Sequence, residues 1–336
     1  MSGSKVILAG DIGGTKTALA LCSREEGARH FRVQATFPSH SYPSLDAIVR
    51  EFLTGKDVDV ERASIGVAGP VVNNCARITN LPWLVDGHVL SLTLGGAPVR
   101  LLNDLESLAC AIPNLEPSDL ETLNEGQLQE HGALAVLAPG TGLGEAFLVW
   151  HGGRYVPCPS EGGHSDFAPS GPTQRDLLGY LEARLGHVSN ERVCAGAGVP
   201  NIYAFLRDSG RATEPDWLRD KLAAVTDQTP VIVQTALEGN ADICVQTLHL
   251  FVAILGSRAG SLALTVLATG GVYVGGGIPP RIVSKLRGPA FMNAFASKGR
   301  LSDLVSHMPV YELLRPDAAL FGAACHGLEQ TPDPKG

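Results

Sequence analysis

Apolar positions in this chain follow two rhythms. Short runs at residues 6–9, 18–22, 31–37, 63–67 and 99–102 carry the pattern of strands. Between them Leu45, Ile48, Val49, Phe52 and Leu53 recur at helical spacing. Leu105, Leu108, Ala109 and Ile112 do the same until Pro113 stops the pattern. A polar stretch over 113–125 reads as a linker and domain junction. The second half then repeats the theme, with strand-like runs at 133–137 and 147–150. Helices are expected at 177–185, 199–207, 217–225 and 229–238, and residues 242–267 read as one long helix or two short ones, apolar on most sides. Strands at 272–274 and 310–314 and a helix over 318–328 close the pattern, with a disordered tail expected over 331–336. Strand meanders followed by alternating helices and strands, twice over, indicate a duplicated α/β architecture. The expected division is a small α/β domain of residues 1–113 plus 313–330 and a large α/β domain of 114–312.

Both halves open in the same way. The first strand runs into Asp11-Ile12-Gly13-Gly14-Thr15-Lys16-Thr17, and the strand at 133–137 runs into Gly140-Thr141-Gly142-Leu143-Gly144. Each reads as strand, glycine-rich turn, strand. Glycines let the main chain approach an anion closely, and a nest of N–H groups holds negative charge, so phosphate is the natural guest. The spacing is not that of a Walker A loop, and a following strand excludes the dinucleotide fingerprint. A single such turn is equally well an ordinary hairpin using glycine for positive φ; the second copy favours the phosphate reading. A third cluster, Gly275-Gly276-Gly277, follows a strand, is expected to open a helix, and suits either a nucleotide base or sugar or tight packing.

Length and composition narrow the function. The chain has 336 residues, enough for two domains, and is 44% hydrophobic and 18% charged, so it can bury a sizeable interior. A net charge of −8 with no basic run argues against nucleic acid as a partner. The seven cysteines are scattered, form no C-x-x-C pair, and fit buried thiols in a reducing cytoplasm. The uncharged stretch 259–280 is interrupted by six glycines, Gly260, Gly270, Gly271, Gly275, Gly276 and Gly277, so no membrane span is expected there, and no signal peptide is read at the start of the chain.

Three polar groupings carry candidate chemistry. Asp11 closes the first strand and points toward the first turn; a carboxylate beside phosphates calls for a cation, and Mg²⁺ held through water fits. Asn103-Asp104 sits where a strand hands over to a helix. Asp104 suits acceptance of a proton from an attacking hydroxyl, whereas the dipeptide taken alone is better read as a helix cap. The segment Ser160-Glu161-Gly162-Gly163-His164-Ser165-Asp166 has no metal-ligand spacing on a helix face and suits hydrogen bonding to a polyol.

At this point the residues resemble a family. Gly10-Asp11-Ile12-Gly13-Gly14-Thr15-Lys16-Thr17, Gly66-Val67-Ala68-Gly69-Pro70-Val71, Ile78-Thr79-Asn80-Leu81-Pro82-Trp83 and Leu102-Asn103-Asp104-Leu105-Glu106 are similar to motifs of the bacterial glucokinases. So are Gly140-Thr141-Gly142-Leu143-Gly144, the Glu161–Pro169 stretch, His187-Val188-Ser189-Asn190-Glu191-Arg192-Val193 and the run from Gly270 to Arg281. They span nearly the whole chain in order, and they resemble the proteobacterial-type branch of the hexokinase and actin-like ATPase superfamily. The resemblance implies a duplicated ribonuclease-H-like fold with a nucleotide in an interdomain cleft and ATP-dependent phosphorylation of D-glucose at O6. It further implies ATP and Mg²⁺ as co-substrate and cofactor, and a cytoplasmic homodimer. Carried over by position, Asp104 is the general base, and Asn103, Asp104, Glu161, His164 and Glu191 bind the sugar. Gly13, Gly14, Thr15, Lys16, Gly140, Thr141 and Gly142 hold phosphates, and Gly276 lies near the adenosine.

Two departures qualify the resemblance. Glu145 follows the second turn where a small or apolar residue is expected; its carboxylate must point away from phosphate or weaken nucleotide binding. The related repressor–kinase branch carries a cysteine-rich zinc motif, and Cys158 lacks the companions such a motif needs. A kinase for another hexose or an amino sugar is the alternative reading. An ATPase without a sugar substrate fits less well with the Glu161–His164 cluster, and a non-catalytic regulator fits less well with Asp11, Asp104 and both turns.

Overall fold

β1 (Ser4–Ile12) is buried continuously from Val6 to Gly10, as a strand covered on both faces must be. β2 (Lys16–Cys22) and β3 (Val33–Pro38) continue from it as an antiparallel meander, and β4 (Val58–Val67) joins the other side of β1 in parallel. A small antiparallel sheet of β5 (Val71–Val72), β6 (Cys75–Arg77) and β7 (Leu84–Asp86) precedes β8 (Val99–Asn103), which pairs in parallel with β4. The order is β3-β2-β1-β4-β8. This computed structural model describes residues 4–78 and 81–329; Thr79, Asn80 and the tail over 331–336 lie outside the described residues. The chain divides into two compact units, one of the residues up to Glu116 and from Arg315 on, the other of Pro117–Leu314.

Strand and helix periodicities meet across the first sheet. Val6, Leu8 and Ile12 face one way and cluster with Leu45, Ile48, Val49 and Phe52 of the Leu45–Leu53 helix. Ile7 and Ala9 face the other way, against Leu320, Ala323 and Ala324 of the Ala318–Glu329 helix. That helix also lies in backbone contact with the Asp104–Ala111 helix. A Cβ on Gly322 would stand 1.8 Å from the Ser107 carbonyl oxygen, so only glycine fits there, and the Ser107 hydroxyl donates to the Ala319 carbonyl at 2.8 Å.

The second unit repeats this design. β9 (Leu120–Asn124), β10 (Leu134–Pro139), β11 (Leu143–His151), β12 (Arg154–Ser160), β13 (Gly271–Val274) and β14 (Val310–Leu313) form one sheet in the order β12-β11-β10-β13-β14-β9. Without β9, the order and strand senses are those of the first sheet: an antiparallel meander, then two parallel strands. The duplicated α/β architecture expected from the sequence is present.

The expected linker over 113–125 needs correction, because its last part is β9, antiparallel to β14 at the sheet edge. Its polar composition is that of an edge strand, where charged side chains block further pairing. The doubt over residues 242–267 resolves as a single helix, Asp242–Val266. By length and composition it is apolar enough to cross a membrane, yet half of its most apolar stretch is buried inside the unit. It lies so close to the Pro289–Ala296 helix that a Cβ on Gly256 would stand 2.2 Å from the Phe291 carbonyl oxygen.

One buried charge in this sheet has a measurable consequence. Glu312 on β14 is wholly buried, pairs with Glu121 on β9, and among the described residues neither of its carboxylate oxygens has a hydrogen-bond partner. Burial raises its pKa from 4.5 to about 7; the Glu121 charge adds to the rise and Arg287 opposes it. The folded chain therefore binds this proton more tightly than the unfolded one. The stabilisation is complete below about pH 4.5 and is lost as pH rises through about 7. At about 1.4 kcal/mol per pKa unit the effect is on the order of 3 kcal/mol. Glu312→Gln should raise the thermal midpoint at pH 8 clearly more than at pH 5. A variant that tracks the parent chain at both pH values would remove this reading.

Candidate active site

In the first unit the strand ends at a tight turn. Ile12 pairs with Thr17, and the Gly13 N–H donates to the Lys16 carbonyl at 2.9 Å. Neither Gly13 nor Gly14 has positive φ, so the left-handed conformation expected of a glycine hairpin is not what the turn uses. Ser39 holds the turn instead. Its hydroxyl donates to the Gly13 carbonyl at 2.8 Å, its N–H donates to the Thr15 carbonyl at 3.0 Å, and Thr17 Oγ1 lies 3.0 Å from its hydroxyl. Because a trans peptide is planar, tying the Gly13 carbonyl to Ser39 turns the Gly14 N–H the opposite way. Asp11 is one position before the end of β1, paired across to Ala18 and Gly66. Burial pushes its carboxyl upward, and the Lys16 ammonium partly offsets this.

β8 delivers Asn103 and Asp104 to the head of the Asp104–Ala111 helix. Asn103 caps it: its side-chain oxygen accepts from the Leu105 N–H at 2.8 Å, and Glu106 accepts from the Asn103 N–H at 3.3 Å, a complete capping box. The Asn103 amide also donates to the Gly69 carbonyl at 3.3 Å, which leaves the amide a second N–H of its inventory. Asp104 is the first helical residue, half-buried, and its Oδ1 accepts from the Leu105 N–H at 2.9 Å. Helix-terminal N–H groups favour its anionic form. Capping and the proposed chemistry therefore fall on neighbouring residues.

In the second unit the turn at 140–142 is held from three sides. The Gly140 N–H donates to the Gly142 carbonyl, and the Gly196 N–H donates to the Gly140 carbonyl, each at 2.8 Å. The Leu143 N–H donates to Glu191 Oε2 at 3.0 Å. Gly276 closes the third side. Its φ is +88°, and a Cβ there would lie 2.5 Å from the Pro139 carbonyl oxygen, so the position tolerates glycine for two reasons. The glycines at 275–277 are followed by a 3₁₀ turn, Pro139's carbonyl accepting from Ile278, and then by the short helix Val283–Leu286, a looser arrangement than the helix expected directly after them.

The polar loop lies against the same turn. Glu161 and His164 are exposed, one helical turn apart, with His164 Nε2 4.0 Å from Glu161 Oε2. Buried Asn190 fastens this loop to the segment bearing Glu191. Its amide donates to the Ser165 carbonyl and hydroxyl, each at 3.0 Å, and to the Asp166 carbonyl at 3.2 Å. Glu161, His164 and Glu191 are thus brought to one region. Among the described residues no group of three or more His, Cys, Asp or Glu is arranged to hold a metal ion.

Glu145, the residue that departs from the family pattern, is buried inside the unit. It is wholly buried on β11 and meets Arg258 of the Asp242–Val266 helix in a two-pronged pair, Nε to Oε1 at 2.6 Å and Nη2 to Oε2 at 2.5 Å. Arg258 also donates to the Gly162 carbonyl at 3.2 Å, next to Glu161. One ion pair therefore supports both the strand leaving the phosphate turn and the polar loop. Sequence reasoning missed Arg258 and Asn190. The signal for Arg258 was present: a lone arginine deep in an apolar helix needs a buried acid as partner.

The family model described as Glucokinase matches residues 8–330. The chain belongs to the glucokinase family. A glucokinase from Nostoc punctiforme is 38% identical over 333 residues, covering 95% of this chain and 98% of that one. One from Cronobacter sakazakii is 37% identical over 329 residues, covering 98% of each. The crystal structure of a glucokinase from an Antarctic psychrotroph superposes with a TM-score of 0.84 at 32% identity, covering 96% of this chain and 98% of that one. Within this glucokinase-family chain, Asp11, Gly13, Gly14, Thr15, Lys16, Asn103 and Asp104 lie on the first unit. Gly140, Thr141, Gly142, Glu161, His164, Glu191 and Gly276 lie on the second.

Proposed function

We infer that this chain transfers the γ-phosphoryl group of ATP to O6 of D-glucose, giving glucose 6-phosphate. The observation that carries this reading is the pair of braced glycine turns, one on each copy of the duplicated core, in a chain of the glucokinase family that also sets an aspartate at the head of a helix. Phosphoryl transfer is mostly positioning and charge neutralisation. The turns at 13–16 and 140–142 hold the triphosphate through backbone N–H groups, and Gly276 leaves room for the adenosine. Asn103, Glu161, His164 and Glu191 hydrogen-bond the sugar hydroxyls and orient O6. Asp104 accepts the O6 proton as the bond from O6 to the γ-phosphorus forms, the bond from that phosphorus to the bridging oxygen breaks, and ADP leaves. Mg²⁺ suits Asp11: a single hard carboxylate with no neighbouring ligand cluster among the described residues fits an ion bound mainly by phosphate and water. When bound, that ion neutralises charge on the phosphates. Seven cysteines outside any disulfide among the described residues accord with a cytoplasmic enzyme, and the family resemblance favours a homodimer.

A coupled assay with ATP, Mg²⁺ and a sugar panel tests this reading. Glucose should be the preferred acceptor, and nucleotide hydrolysis should be slow without sugar. Faster turnover with another hexose or an amino sugar would reassign the substrate. The pocket assignment has its own test. Glu161→Gln removes a charged acceptor for a sugar hydroxyl, and such bonds are worth about 1.5–3 kcal/mol. The glucose KM should rise about tenfold or more while kcat changes much less. An unchanged KM would move Glu161 out of the pocket.

A further inference from the structure

A second concave site lies on the first unit, on residues the phosphoryl-transfer reading does not use. Arg62 and Ser64 on β4 have the same strand parity, and Ser64 pairs directly with Arg100 on β8. In the register with β1, Arg62 pairs with Ile7 and Ser64 with Ala9, so their side chains share the face covered by the Ala318–Glu329 helix. The end of that helix presses onto the strands: a Cβ on Gly327 would lie 2.5 Å from Ile7 Cγ2. This brings His326 to the sheet, with Nδ1 2.9 Å from the Ser64 hydroxyl. Arg62, Ser64, Pro98, Arg100, His326 and Gly327 line a hollow of about 320 Å³.

The chemistry of the lining is one-sided. Two guanidinium groups, an imidazole and a hydroxyl meet in it, and no carboxylate among the described residues lines it, on a chain whose net charge is −8. Two acids lie within electrostatic reach, yet neither lines the hollow: Glu61, which feels the Arg62 charge, bonds Arg24 at 2.9 Å, and Glu106, which feels the Arg100 charge, accepts from the Asn103 N–H. Guanidinium forks match phosphate oxygens in pairs, and a cationic hollow concentrates anions. The volume lies in the range of small-molecule sites and exceeds what a bare phosphate fills.

We propose that this hollow binds a small organic phosphate monoester, with Arg62 and Arg100 on the phosphate oxygens and the Ser64–His326 pair against the carbon skeleton. The test uses the full chain and two probes, inorganic phosphate and glycerol 3-phosphate, followed by titration calorimetry with saturating ADP to occupy the nucleotide subsite. Glycerol 3-phosphate should bind with ADP present, more tightly than inorganic phosphate. Arg100→Gln, an exposed position on an edge strand, should weaken it about tenfold or more, and Arg62→Gln should do likewise. Basal turnover of Arg100→Gln with glucose and ATP should stay unchanged. If Arg62→Gln fails to fold, the Arg100→Gln measurement decides. Loss of all binding in ADP, or binding indifferent to Arg100→Gln, would overturn the proposal. Equal affinity for the two probes would overturn the monoester reading.

Discussion

Asp104→Asn should retain glucose binding and lose about 10²–10⁴ in kcat, the usual contribution of a positioned general base. The structure makes this substitution a clean one. Asp104 Oδ1 accepts from the Leu105 N–H at 2.9 Å, a bond that the asparagine oxygen preserves, and the helix cap itself rests on Asn103. The fold at the helix start is therefore undisturbed, and what disappears is the basicity that takes the O6 proton. Glucose affinity measured directly, by calorimetry or intrinsic fluorescence, separates binding from chemistry. Turnover near the parent value would remove Asp104 as the base. A comparable fall in glucose affinity would make it a binding residue.

Arg258→Met should destabilise the second unit severely. It leaves the Glu145 carboxylate wholly buried with its charge partner gone, a situation that typically costs about 3–5 kcal/mol. For a unit of this size the thermal midpoint should fall by about 10 °C. The same change removes the Arg258 bond to the Gly162 carbonyl and leaves only the donors within the loop, the Ser165 N–H and hydroxyl, so the Glu161–His164 loop loses its tie to the long helix and the glucose KM should rise in whatever enzyme remains folded. Glu145→Gln combined with Arg258→Met removes the orphaned charge and should recover a large part of the midpoint without restoring KM. An Arg258→Met chain as stable as the parent would show that the pair carries no structural weight. Recovery of both properties in the double variant would mean that the loop does not depend on Arg258.

Much of the fold was legible because long apolar periods encode it locally. The Leu45–Leu53 helix and the strands around Ala63 and Ala133 follow directly from spacing, and the order of elements in each half announces the duplication. What escaped has identifiable causes. β5, β6 and β7 are two or three residues long, too short to show a period. β12 contains Pro157 and Pro159, which disguise a strand yet are tolerated at a sheet edge. β9 hid in a polar stretch for the same edge reason. In the candidate site, the turns and the Asn103-Asp104 handover could be read as motifs. The braces could not, because they join distant positions. Glu145 and Arg258 are 113 residues apart, and Ser39 supports a turn that its own neighbours do not suggest. The sequence reading left two fates for Glu145, a carboxylate turned from the phosphates or one that weakens nucleotide binding; its buried arginine partner is visible only in the folded chain.

The first unit is built from two separate segments, with Pro117–Leu314 inserted between them. On a ribosome this has a kinetic meaning. Ile7, Ala9 and Ala20 are made before the inserted unit, but Leu320, Ala323 and Ala324, which cover them, are made only after it. The inserted unit is contiguous and can complete its own core while the opening strands still wait with greasy surface showing. Nascent chains of this protein thus pass through a long vulnerable interval, during which a chaperone or rapid synthesis of the covering Ala318–Glu329 helix protects them from sticking to one another.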